Sequence, residues 1–169
     1  MIRISNIVIL AFSLLCEMCG PCKSWELKTG NDQKSGRAFS IMQQWSHDEA
    51  ALLGIECQNQ FESGMIGIAV LNPELITQLS NVRQVDIRIG IEKPIKMEFS
   101  LERRSDLINY YLTNTTKRSR DNMIKLLTMM EKYSGDITIF LDGGNALIFK
   151  DDDRSKIFER WRSSCFKGG

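Results

Sequence analysis

The chain predicts a mainly β, α+β fold: an antiparallel β-sandwich-like domain with one central and one C-terminal helix. Three observations carry that expectation. Two neighbouring stretches alternate apolar and polar residues with period 2, a Gly-Gly pair divides two short apolar runs, and apolar residues recur at helical spacing in a late segment.

The elements follow in chain order. Met1-Ile2-Arg3 is a short basic start, and Ile7 to Leu15 then runs without a charge until Glu17. A cationic start followed by about nine apolar residues is the pattern of a secretory signal peptide. It is too short for a bilayer core, which needs about 20. The same Ile-Val-Ile-Leu run would also suit a buried N-terminal strand. Cleavage after Ser24 puts the small residues Cys22 and Ser24 at the recognition positions and leaves Trp25 first; cleavage after Gly20 would put Pro21 first. On the former reading, residues 1–24 are the signal peptide and residues 25–169 one β-rich domain. None of Cys16, Cys19 and Cys22 follows the small residue that a lipoprotein box needs.

In the remaining chain, Arg37 to Trp45 places Phe39, Ile41 and Trp45 on one face of a strand. Leu53, Ile55 and Cys57 alternate with Gly54, Glu56 and Gln58, and Met65 to Leu71 is apolar on both faces, as in a covered central strand. Val85, Ile87, Ile89 and Ile91 alternate with Asp86, Arg88, Gly90 and Glu92; Ile95, Met97, Phe99 and Leu101 follow at once. Such period-2 patterns predict half-buried antiparallel strands, with Glu92-Lys93-Pro94 as their hairpin connection. Pro73 falls in a loop, and Glu74 to Ser80 forms a short turn. Met123, Leu126, Leu127, Met130 and Tyr133 stand at helical spacing, with Ser119 or Asp121 to cap the start and Gly135 to end it. The methionines in this stripe read as core packing. Lys117-Arg118-Ser119-Arg120 reads as a solvated loop before the helix. Ile137, Ile139 and Leu141, then Asp142-Gly143-Gly144-Asn145, then Ala146 to Phe149 read as a hairpin, because both central glycines accept positive φ. A phosphate-cradling loop would need a helix next, and a strand follows. Asp151-Asp152-Asp153 reads as the N-cap and first-turn charge of a helix from Arg154 to Cys165. It lacks the alternate oxygen ligands and glycine turn of a calcium loop. Ile157, Trp161 and Cys165 lie four apart along that helix.

Composition narrows the function classes. Lys plus Arg total 22 and Asp plus Glu 21, so there is no net field to favour nucleic acid or an anionic membrane. The mature length suffices to bury about two-thirds of the unfolded surface. His47 is the single histidine, which leaves no zinc set. Ser46-His47-Asp48 are adjacent in sequence, whereas a catalytic triad is assembled in space. No metal or cofactor is implied. Asn114-Thr115-Thr116 fits the glycosylation pattern, relevant only in a eukaryotic secretory route.

Two cysteines, Cys57 and Cys165, belong to the domain. In an oxidising compartment they should pair, since both fall on apolar faces. The bridge would be worth up to ~4.7 kcal/mol in the chain-entropy view; two unrelated buried thiols are the alternative. Cys19-Gly20-Pro21-Cys22-Lys23 resembles the active-site motif of thioredoxins, which implies a thiol–disulfide oxidoreductase using Cys19 and Cys22. The segment from Trp25 to Asp32 is not helical, however, and no Ile-Pro or Thr-Pro pair follows downstream. A mature start at Trp25 would also remove both cysteines.

Trp25, the strand ending in Cys57, the alternating strands from Val85 to Leu101, the helix from Met123 to Tyr133, Ile137 to Leu141 and the terminal Cys165 together resemble a diffuse group. These are small exported proteins of Gram-negative bacteria, some of them invasion-associated or accessory to type VI secretion. The resemblance implies a periplasmic or secreted domain with a tryptophan-led first strand and no catalytic motif. The expected activity is therefore non-enzymatic: binding of a protein or cell-envelope partner, with no transmembrane helix in the mature chain and no nucleic acid.

Overall fold

Among the described residues nine strands are hydrogen-bonded in one antiparallel run, ordered β1-β2-β3-β4-β7-β6-β5-β8-β9, and two helices pack against it. The computed structural model describes residues 24–33, 35–58, 63–71, 82–104, 107–113, 117–141 and 146–166. The strands are β1 (Glu26–Asn31), β2 (Ala38–Trp45), β3 (Ala51–Gln58), β4 (Ser63–Val70), β5 (Val82–Ile89), β6 (Ile95–Arg104), β7 (Leu107–Thr113), β8 (Ile137–Phe140) and β9 (Ala146–Phe149). The helices are α1 (Lys117–Lys132) and α2 (Arg154–Cys165). The mainly β, α+β class expected from the sequence is the one observed.

The first four strands form a meander, and the β4–β7 ladder joins it to the rest. The run curls back on itself. The His47 amide, between β2 and β3, donates to Ile148 O of β9 (2.7 Å). The buried Trp25 indole donates to Lys150 O (2.8 Å). Leu53 of β3 and Ile66 of β4 line one small apolar void with Ile87 of β5, Ile139 of β8 and Leu126 of α1. The two halves of the sheet thus share a core, to which α1 contributes Leu126 and Met130. Period-2 burial is cleanest in β5, where Val85, Ile87 and Ile89 are fully enclosed and the alternate side chains are not.

The structure departs from the sequence expectations at several places. The strand after Val82 stops at Ile89: Gly90 takes φ 56 and turns the chain, so Ile91 is fully exposed rather than in the core. Gly54 and Glu56, expected on a solvated face, are buried, because β3 is covered on both sides. In β2 Phe39, Ile41 and Trp45 share one face as expected, with Ile41 buried, while Met42 on the opposite face joins the shared core, so this strand too is covered on both sides. Helix α1 starts at Lys117, so Arg118 lies in its first turn rather than in a loop, paired with Glu98 of β6 (2.7 Å). Finally, β7 was not anticipated; Leu107 to Thr113 is rich in β-forming residues but lacks a period-2 pattern. The Glu92-Lys93-Pro94 hairpin is formed, with Ile87 opposite Ile95. Phe140 stands opposite Ala146, so the strands flanking the Gly-Gly pair do run antiparallel. The Gly-Gly turn, Pro73, Glu74 to Ser80, Asn114 and residues 1–23 lie outside the described residues.

Helix α2 is seated on one rung of the ladder. Ser40 and Cys57 are cross-strand partners; the Trp161 indole donates to Ser40 O (3.3 Å), and Cys165, one turn later, meets Cys57 at disulfide distance with Cα atoms 5.9 Å apart. Its buried stripe is Arg154, Phe158, Trp161 and Cys165, with Ile157 only half-buried.

Candidate functional site

Three groups of polar residues invite a functional reading, and two of them are engaged in holding the chain together. In the β2–β3 turn the Ser46 hydroxyl donates to Asp48 Oδ1 (2.6 Å) and accepts from the Ala51 amide (2.9 Å). Ser46 is buried and His47 exposed. The serine and the aspartate converge without the histidine, so the trio closes a turn and does not form a charge relay.

The second group joins the end of α1, β8, β9 and the start of α2. Asp136 accepts from Lys150 Nζ (2.9 Å) and from the Asp151 amide (3.1 Å). Asp151 in turn accepts from the Gly135 amide (2.7 Å) and from Arg154 Nε (2.7 Å). Arg154 is buried and also donates to Tyr133 O (2.6 Å). This corrects the expectation for the acidic run: Asp153 occupies the N-cap with φ 55 and makes no side-chain cap bond. Asp151 instead holds a buried guanidinium and a distant glycine. The hydrogen bond from Lys150 lowers the Asp136 pKa below its usual 3.8. Among the described residues no cluster of His, Cys, Asp or Glu is arranged to hold a metal ion.

Glu56 is the third group. It is 6% exposed, Oε1 accepts from Gln58 Nε2 (2.7 Å), and Oε2 has no hydrogen-bond partner. Burial raises its pKa above the usual 4.5, against the opposing Gln58 hydrogen bond and with a smaller push from Asp32. A carboxyl whose folded pKa is raised keeps its proton longer when folded, so its contribution is fully present below pH 4.5 and is lost as pH climbs through the folded pKa. Glu56→Gln should therefore become progressively more stable than the parent over that window and hold a constant lead above it. Urea unfolding across a pH series reads the difference, and a gap that does not vary with pH would contradict it.

What remains is the outer face of β5, β8 and β9. Strand alternation puts Asp86 and Arg88 there, with Thr138 and Phe140 of β8 and Ala146 and Ile148 of β9. Register places Arg88 opposite Thr138 and Thr138 opposite Ile148; Asp86 stands opposite Phe140. The Arg88 guanidinium lies over the Phe140 ring, 5.4 Å from its centroid, an attraction of the cation for the ring face. Ile148 is 38% exposed. Arg88 and Phe140 are half-buried, and Thr138, between Arg88 and Ile148, is buried; aromatic residues and arginine are enriched at protein interfaces. The signal for this surface was in the sequence: Phe140 and Ile148 are apolar on the off-beat of strands whose on-beat residues are Ile137, Ile139, Leu147 and Phe149. The two Cys57 and Cys165 side chains are brought together as described above. Cys19 and Cys22 lie outside the described residues.

No helix among the described residues is long and apolar enough to cross a membrane. Comparison with protein-family models, with curated proteins and with solved structures found no match.

Proposed function

We infer that this chain is an exported, periplasmic or secreted, domain that acts by binding a protein partner through the outer face of β5, β8 and β9. The observation that carries the reading is the Arg88–Phe140–Ile148 surface, a cation over an aromatic ring beside exposed aliphatic area. Ser46, Asp48, Asp136, Lys150, Asp151 and Arg154 are engaged in the chain's own connections, which favours binding at this face over turnover at those residues. Export is supported by the Arg3 and Ile7-to-Leu15 pattern and by Cys57 and Cys165 at disulfide distance, since such bonds persist in oxidising compartments. An accessory role in secretion or host contact, implied by the resemblance to small exported Gram-negative proteins, fits a binding domain.

A photo-crosslinking residue in place of Ile148, in the full chain expressed in its own cells, should give a discrete protein adduct. The same residue in place of Lys125, exposed on α1, should not. Identical adducts at both positions, a lipid or glycan adduct at 148, or no adduct there would each overturn the assignment.

A further inference from the structure

We propose that Arg88 is a carboxylate-reading position: the partner presents an Asp or Glu side chain to its guanidinium and lays a neighbouring apolar side chain on Ile148. This rests on the reading of the β5–β8–β9 face as a docking surface and adds the chemistry of what docks.

Among the described residues the other covered cations, and two exposed ones, already have a carboxylate. Lys28 lies 3.5 Å from Glu26, Arg118 2.7 Å from Glu98, Lys150 2.9 Å from Asp136 and Arg154 2.7 Å from Asp151; Arg162 pairs with Glu131. Arg88 is half-buried, and among the described residues no carboxylate lies within ion-pair distance of it. Its Nε is sealed from solvent without an acceptor. Its terminal nitrogens are not among the sealed unpaired atoms and, among the described residues, have no hydrogen-bond acceptor. They are the part of the guanidinium that a partner oxygen can reach, and a charge-assisted bond there is stronger than a neutral one.

The Phe140 ring, 5.4 Å from the guanidinium carbon, attracts the cation and limits the freedom it has left to lose when its fork meets two oxygens. Asp86 lies on the same face, and among the described residues it forms no ion pair. Its charge repels a doubly charged phosphate more than a singly charged carboxylate. The aliphatic surface of Ile148, two strands away across Thr138, calls for an apolar neighbour to the acid.

The test uses the full ¹⁵N,¹³C-labelled chain and two blocked peptides, acetyl-Gly-Leu-Glu-Leu-Gly-amide and its Gln counterpart. The Glu peptide should saturably shift the Arg88 Nε–H signal and the Ile148 methyl signals, and bind about tenfold more tightly than the Gln peptide, the margin of a charge-assisted hydrogen bond. Arg88→Gln should remove the difference between the peptides at Ile148. Equal responses to both peptides would overturn the carboxylate assignment and leave the docking face standing. Equal shifts at Arg88 and at the exposed Arg160 would overturn it as mere charge screening, and so would silence with both peptides. Failure of the docking face itself is read separately, as absence of the adduct at position 148.

Discussion

Replacing Cys57 and Cys165 together by alanine should lower the unfolding free energy by about 4 kcal/mol, with a larger denaturant slope. The two residues are 108 apart in sequence, so the bond closes a loop that spans β4 to β9 and both helices. A cross-link over about 100 residues removes roughly 4.7 kcal/mol of chain entropy from the unfolded state. Both side chains are buried, so the alanines also leave small voids in the folded state. Because the unlinked chain expands more on unfolding, the urea dependence should steepen. The structural consequence should be local: α2 depends on that rung of the ladder through both Cys165 and Trp161. Urea titration of the oxidised parent, the reduced parent and the double variant reads all three effects. Coincident curves for the oxidised and reduced parent would show that no bond forms.

Gly90→Ala should be nearly as damaging, at about 3 kcal/mol, although it adds a single methyl group. Gly90 sits at φ 56, a left-handed conformation that costs an L residue about 1 kcal/mol or more. The larger effect comes from contact. A Cβ built there lies 2.4 Å from Ser134 O, a backbone atom with no freedom to swing away, and 3.7 Å from the Cα of Gly135, itself at φ 99. The Gly90 amide also donates to Asp136 O (2.9 Å), and Gly135 donates to Asp151, so displacement at the β5–β6 turn is passed to the start of β8 and to the Asp151–Arg154 pair. Gly36→Ala is the control. It has a similar φ of 68 and nothing within 4 Å of the added Cβ, so it should cost only about 1 kcal/mol. Equal losses at the two glycines would mean that backbone conformation alone, and not the backbone contact, sets the Gly90 requirement.

How much of this was legible in the sequence depends on how local each cause is. The alternation in β5 and β6 was readable because one face of each strand meets the core, which imprints period 2 directly. The stripe of α1 was readable for the corresponding helical reason, with Met123, Leu126, Met129 and Met130 buried. Glu56 was misplaced because nothing in Leu53-Gly54-Ile55-Glu56-Cys57 reveals that the second face of β3 is covered too. Asp151 was misassigned for a non-local reason: its partners include Gly135, 16 residues earlier, and no capping pattern encodes that. Ile91 continued the alternation on paper, but the Gly90–Gly135 contact ends the strand before it. The candidate site was the least legible part. Phe140 and Ile148 stand off-beat in very short strands, and only the β5–β8–β9 register brings Arg88 beside them.

Arg88→Gln, measured for both stability and partner capture, separates a docking surface from a brace of the sheet. A half-buried side chain without an ion pair should change the unfolding free energy by no more than about 1 kcal/mol, while the adduct formed by the crosslinking residue at position 148 should be lost or reduced about tenfold. An adduct undiminished by the substitution, alongside a stability loss of several kcal/mol, would make Arg88 and Phe140 part of the frame and contradict the account.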